Sequence, residues 1–590
     1  FLPLPKPAMP LSQKRLLFNE THTASANRLY RLDEEKQLRF QLGYIHDRTT
    51  RQYGSEEIYY FAQDTVHTAT NRHDRLKTDC LNAEVNYEDN TVSRYTRENF
   101  SFAGTWKSGV SDITGDNAIF QKIKNSQWEL KNYFNQLYTK EKYTWGIRSY
   151  IRYTHCSASL TVAHRNLPIL FADNMLIANC IYHRNELSSS DNISENTYRT
   201  VIGQTHESIL AEYEEMNTGN AYTDNALYGM RKINGVNYQL TGGFCGELSS
   251  VKQENAYSAH SYSFYTVPRI EWERNDFLFT AATTVRWTHL PKQSYSRFCV
   301  SPFFCFRYKF TPRWKMSLLG SLDESEGGLK DIYPFRYRED YRTVVKHTGK
   351  VPVTVRQLYT CYLEYKNTIK EFFWTLSASY SHNRYNLITE RNYKDGNFYL
   401  SSVERNHSSH SYILNTIGSK GIYDWNLKTS LELTLARNEG KQLNEGIVQD
   451  YRYDYLCVEP KIVWAPSVFF EAEYKATVSC VGGGIGEDTS LDPLWEVAQR
   501  LTLSLEFHDT EFRLSGEHFY NDLSKNQHLN IWLADVSLIH KAGKWRFAAS
   551  AINLFNKEQY RYTLYSAVQS YTSWIKLRPR EFMVSVQYQW

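Results

Sequence analysis

From about Gln37 to the C-terminus the chain repeats segments of roughly ten residues in which apolar and polar side chains alternate, joined in pairs by short polar turns. This rhythm restricts the fold more than any other feature. In Trp425–Leu435 one face carries Trp425, Leu427, Thr429, Leu431, Leu433 and Leu435, and the other carries Asn426, Lys428, Ser430, Glu432 and Thr434. In Phe470–Val478, Glu471, Glu473 and Lys475 oppose five apolar or aromatic residues. Burying such charges in a dry sandwich core costs several kcal/mol apiece unless they are paired. A water-filled lumen accepts them. The pattern predicts an all-β chain, a transmembrane antiparallel β-barrel of about 22 strands, with Lys428, Glu432, Glu471, Glu473 and Lys475 as lumen-facing candidates.

The chain ends as such a barrel would. Phe582, Val584, Val586, Tyr588 and Trp590 make an apolar face that closes on an aromatic terminus, with Ser585, Gln587 and Gln589 opposite. A terminal strand of this kind is a signal for the barrel-assembly machinery. The 590 residues include 45 Tyr and 14 Trp, an excess that suits interfacial girdles. Mean hydropathy is −0.57, and no apolar run reaches the ~20 residues of a membrane helix. Lumen residues dilute lipid-facing ones, so the low average fits a barrel.

Short turns are expected at Asp33–Lys36, Glu88–Asn90, Thr139–Lys142, Lys232–Gly235, Glu273–Asp276, Thr311–Arg313, Lys366–Thr368, Lys420–Gly421, Ala465–Ser467, His508–Glu511 and Lys541–Lys544. The alternate connections read as long loops near 47–74, 106–125, 157–219, 324–353, 385–407, 438–448, 483–496 and 556–577. Short turns on the periplasmic side and long extracellular loops are the arrangement of a Gram-negative outer-membrane protein. Within 157–219, His206–Met216 has the spacing of a short amphipathic helix. Residues 37–590 form the barrel. Residues 1–36, opening on the four prolines of Phe1–Pro10, read as a connector from a plug domain that is missing from the chain, and a hairpin at 13–32 would raise the strand count to about 24. An even count puts both ends on the periplasmic side.

Other function classes find little support. The net charge of +4 has both signs interspersed and no dense basic block, so nucleic acid is not an expected partner. The nine Cys show no C-x-x-C spacing. Cys457 and Cys480 lie across one hairpin on opposite faces, and Cys299 and Cys305 lie about 20 Å apart on one strand, so neither pair is expected to bridge. Gly482–Gly486 lacks the following helix and Lys-Ser/Thr of a phosphate loop, and His407 and His410 point to opposite faces of a strand. No cofactor, metal or catalytic constellation is expected, and the chain does not read as an enzyme.

The stretch Ala551-Ile552-Asn553-Leu554-Phe555-Asn556-Lys557, followed by Leu577-Arg578-Pro579-Arg580-Glu581-Phe582 and the terminal aromatic strand, resembles the end of TonB-dependent outer-membrane receptors. There Asn-Leu-Phe-Asn ends the penultimate strand and Arg-Pro-Arg opens the last. Val85–Asn90 and Ala221–Asn225 also look like barrel segments of the branch with a carboxypeptidase-regulatory-like N-terminal domain. The resemblance implies gated uptake of a substrate that the sequence does not identify, energised by TonB through an upstream plug. A second reading is a transporter-derived barrel kept as a structural or assembly subunit, recruiting surface lipoproteins or other outer-membrane subunits. A passive porin is a third. In each, outer-membrane lipid is a partner.

Overall fold

In the computed structural model, residues 11, 15–16, 18–60, 65–115, 118–164, 197–201, 208–340, 342–394, 396–486, 489–524, 527–565 and 569–588 are described. Their strands join in a single 28-stranded sheet. In order these are β1 (Phe18–Arg31), β2 (Lys36–Tyr60), β3 (Thr65–Asn90), β4 (Arg94–Gly115), β5 (Ile119–Lys140), β6 (Tyr143–His164), β7 (Thr197–Val201), β8 (Ser208–Ile233) and β9 (Val236–Lys252). Then come β10 (Ala256–Arg274), β11 (Phe277–Leu290), β12 (Tyr295–Lys309), β13 (Trp314–Glu326), a helical turn α1 (Leu329–Ile332), β14 (Tyr337–Arg338), β15 (Thr343–Lys346), β16 (Val353–Asn367) and β17 (Phe372–Lys394). The last are β18 (Asn397–Ile422), β19 (Leu427–Asn444), β20 (Ile447–Ser467), β21 (Phe470–Ile485), β22 (Thr489–Phe507), β23 (Thr510–Ser524), β24 (Gln527–Ala542), β25 (Trp545–Ile552), β26 (Gln559–Tyr565), β27 (Gln569–Lys576) and β28 (Glu581–Tyr588).

The long neighbours pair antiparallel in an outer-membrane β-barrel, and among the described residues no helix is long and apolar enough to cross a membrane. Counting β25 with β26 and β27 with β28 as single crossings, and setting aside β7, β14 and β15, β2 to β28 make 22 crossings. The stretch 13–32 holds the single strand β1 in place of a hairpin, and Phe18 pairs with Thr50 halfway up β2. The even count expected with a hairpin therefore fails, and Phe18 sits well above the periplasmic turns.

Cross-strand register fixes the faces. The row Thr416, Leu433, Val458 and Val478 faces outward, as do exposed Leu431, Leu435, Ile462 and Trp464. Two aromatic rows bound this apolar band. Below are Trp314, Tyr365 and Trp374, with Trp314 ring centroids 4.8 and 5.9 Å from the other two. Above are Tyr359, Tyr380 and Tyr412, spaced 6.4 and 5.1 Å.

Most turns lie where polar residues place them. Asn234-Gly235, at φ 49° and 83°, makes the left-handed two-residue turn that suits a twisted hairpin. Lys420-Gly421 instead lies inside β18, whose turn is Tyr423–Asn426 with Asn426 at φ 48°. Ala465–Ser467 likewise belongs to β20. The expected long loops are mostly strand: β2 and β3 climb to Tyr60 and Thr65, β17 and β18 to Lys394 and Asn397. Above the bilayer neither face meets lipid, so the ladder continues without the apolar alternation that betrays it. Of the expected helix at His206–Met216, His206 and Glu207 lie outside the described residues, and Ser208–Met216 is part of β8, paired with β6 and β7.

The glycine run has a steric role at Gly483. This residue sits at a bulge of β21 with φ 157°, where a Cβ would come 2.0 Å from the Arg452 carbonyl oxygen, so the run serves close strand approach. The described cysteines are free thiols, and Cys457 and Cys480 project to opposite faces, since their cross-strand partners are Ser479 and Leu456.

Candidate functional site

Among the described residues, two places depart from a plain barrel: the seam where the chain ends meet, and the extracellular mouth. At the seam the wall breaks after Ile552. Asn553, 2% exposed and at φ 55°, receives a backbone hydrogen bond from Lys557 N through Oδ1 (3.0 Å), and its Nδ2 donates to the carbonyls of Lys557 (2.9 Å) and Arg578 (2.7 Å). Asn556, at φ 49°, accepts from Arg580 N. Asparagine tolerates this left-handed backbone while bonding locally. Leu554 and Phe555 are the chain within the corner, with Leu554 N bonded to the Ala534 carbonyl, and Arg578, beside Pro579, pairs with Glu581. The two asparagines thus clamp the breaks between β25 and β26 and between β27 and β28.

Beyond the clamp, β26 and β27 lean over the inner face of β23 and β24. Tyr560 packs edge-on to Phe519 and receives a hydrogen bond from Asn521 Nδ2 (2.6 Å). Together with Leu11, Leu16, Tyr53, Ile531, Leu533, Tyr562, Ile575 and Leu577 they form an apolar core on the lumen side. Leu533 is fully buried. Arg15 enters this core and binds Glu517 (2.7 Å) and Asp535 (2.9 Å), and Glu517 also pairs with Arg500. The Arg15 carbonyl accepts from Arg578 N. β27 takes the upper edge of β2 from Tyr53 to Tyr59, directly above β1. Of the terminal strand, Phe582 and Val584 are 76% and 81% exposed, Val586 and Tyr588 are exposed too, and Trp590 lies outside the described residues.

At the mouth, residues 327–352 form a strap. Ile332, Tyr333 and Val351 pack on Val251, Tyr257, Ala259 and Leu290 at the tops of β9 to β11. Arg338 N is bonded to Glu214 of β8, and β15 then pairs parallel to β18, Thr343 with Phe398. Arg342 reaches the far hairpin, donating to Glu57 (2.6 Å) and Tyr59 (3.3 Å) of β2 and Thr68 (2.9 Å) of β3. The rings of Tyr59 and Phe398 meet at 4.4 Å, so hairpins from separated parts of the wall touch above the lumen. Glu57 and Arg342 are nearly inaccessible, which makes their pair costly to break from one side. Burial, with the nearby charges of Glu339 and Asp331, pushes the Tyr337 hydroxyl up to about 12.

Register puts Lys428, Glu432, Glu471, Glu473 and Lys475 on one face, opposite the exposed leucines. Glu432 accepts from Asn415 (2.8 Å), Glu473 lies 3.3 Å from Lys461, and Lys475 stands between Lys461 and Arg500. None of the five belongs to the mouth. Glu57, Tyr59, Arg342 and Phe398 had no signal in the alternation, although aromatic residues gather near both hairpin tips. His410 stacks on His382 (4.5 Å) and His407 on Tyr385 (4.8 Å).

No family model and no curated protein matches the sequence. Similar solved structures include the outer membrane transporter YddB from Escherichia coli, at TM-score 0.49 and 10% identity over 95% of this chain and 76% of that one. A point mutant of the ferric enterobactin receptor PfeA from Pseudomonas aeruginosa gives TM-score 0.49 and 11% identity, covering 96% and 79%. The ferric yersiniabactin uptake receptor FyuA from Yersinia pestis gives 0.42 and 10%, covering 98% and 81%.

Proposed function

We propose that this chain is the barrel of a TonB-dependent-type receptor that takes up a substrate through a gated lumen, without covalent chemistry. The observation that carries the reading is the roofed mouth: a strap tied by Arg342 to Glu57 and an aromatic contact between Tyr59 and Phe398 make an outer gate. The seam supports it, since Asn553–Asn556 and Arg578–Arg580, the residues that resemble the receptor family, form one structural corner. Lys428, Glu432, Glu471, Glu473 and Lys475 then solvate the lumen wall. Leu11, Arg15 and Leu16 lie on the inner face, where a preceding plug domain, and through it TonB, would act on the barrel. The barrel-assembly machinery would recognise β28 and Trp590.

A second reading, a scaffold subunit of an outer-membrane complex, is favoured by the burial of that same Arg342–Glu57 pair, a contact suited to a roof that stays shut. Peptide mapping and N-terminal sequencing of the protein extracted from outer membranes separates the two. Peptides upstream of Phe1 that encode a plug, cross-linking to TonB, sustain the receptor. A mature protein beginning near Phe1, co-purifying stoichiometrically with other outer-membrane subunits, sustains the scaffold.

A further inference from the structure

The outer wall between β12 and β21 carries a concavity of about 1130 Å³ lined by Phe304, Tyr359, Tyr380, Tyr412, Leu435 and Leu456 among others. Its floor lies low because Cys361, Ala378 and Gly482 stand in outward positions where neighbouring strands carry bulky groups. Register places these residues on the lipid-facing side, at and just below the upper aromatic row. At that same level two guanidinium groups close the upper rim. Arg437 Nε donates to one oxygen of Asp454 (2.6 Å) and Arg452 Nε pairs with the other (3.1 Å). One carboxylate therefore holds two arginines by their Nε edges. Their terminal nitrogens make no hydrogen bond among the described residues, and both side chains are about half exposed. Glu439 lies opposite Arg452, and the stacked His382 and His410 continue the rim, with Arg384 above them.

We propose that this clamp binds the phosphate of a phosphorylated lipid of the outer leaflet, whose acyl chains lie in the apolar hollow beneath. The chemistry fits in three respects. A guanidinium presents paired N–H donors that match phosphate oxygens. Arg437, Arg452 and Arg384 against Asp454 and Glu439 leave the rim one net positive charge. An apolar hollow directly below a cationic rim, at the height of an interfacial tyrosine row, suits an amphiphile and wastes half its surface on a soluble anion.

The test uses the full-length protein purified in mild detergent and incubated with bis-phosphorylated lipid A, dephosphorylated lipid A, or a soluble sugar phosphate, with bound ligand counted by native mass spectrometry. Wild type should retain the phosphorylated lipid over the other two. Removing each cation, in Arg437→Gln and Arg452→Gln, should weaken retention about fivefold. Ala378→Trp, which fills the hollow and leaves the charges in place, should also lower it, while Lys77→Gln on another part of the wall should not. Equal retention by wild type and both Arg variants, or of both forms of lipid A, overturns the clamp. Sugar phosphate binding as well as the lipid overturns the lipid assignment and gives the clamp to a soluble phosphate.

Discussion

Arg15 shows how much one side chain can decide. It is the ionic centre of an otherwise apolar lumen-side core, held by Glu517 and Asp535, and its backbone is tied to Arg578. Truncating one partner of a buried pair leaves an uncompensated charge, at a cost of about 3–5 kcal/mol. Arg15→Ala should therefore lower the unfolding temperature of the barrel in heat-modifiability gels, while exposed Arg580→Ala should not. On the wall itself face decides. Leu433 lies outward, six residues above the start of β19, roughly 15 Å up the membrane once strand tilt is allowed for. Leu433→Arg should cost about 2–4 kcal/mol and Lys475→Ala almost nothing, as measured by urea titration in lipid vesicles. Equal costs would mean the faces are reversed. These faces were legible in the sequence because charges at every second residue demand water along one side of a strand and an apolar environment along the other. Arg15 was not, for its partners are some 500 residues away and nothing local marks it.

At the scale of elements, alternation identified strands only where lipid touches one face. The tops of β2, β3, β17 and β18 mix polar, aromatic and apolar residues without period-2 alternation, so they read as loops. The inner apolar core was hidden for the opposite reason. Ile531–Ala534 is apolar on both parities, because Trp532 faces outward while the inward hairpin of β26 and β27 covers Ile531 and Leu533 on the inner face. The corner at Asn553 was recognisable as a motif, but its role as a clamp needed the geometry. The strap is the element with a pH signature. The Tyr337 hydroxyl titrates near 12 when docked and near 10 when released. Docking therefore keeps its full strength below about pH 10 and weakens from there toward 12, because the released strap gives up that proton first. Limited proteolysis at 327–352 should accelerate over this window, and Tyr337→Phe should remove its part of the change.

The whole molecule is a wide barrel whose ends are tied into one seam and whose extracellular hairpins meet over the lumen. A lumen bounded by 22 crossings is too wide for its own wall residues to fill. What passes through it depends on what closes it. Among the described residues, Arg342, Glu57, Tyr59 and Phe398 bridge the outer mouth, and the proposed gating turns on whether this roof controls passage. The direct measurement is single-channel conductance of the full chain in planar bilayers, against a variant with residues 328–350 replaced by a short Gly/Ser linker and Phe398→Ala. The roofed wild type should conduct in rare, small openings and the variant should hold a large, steady open level. Equal conductance of the two, with both correctly folded, would contradict a mouth gated by its roof.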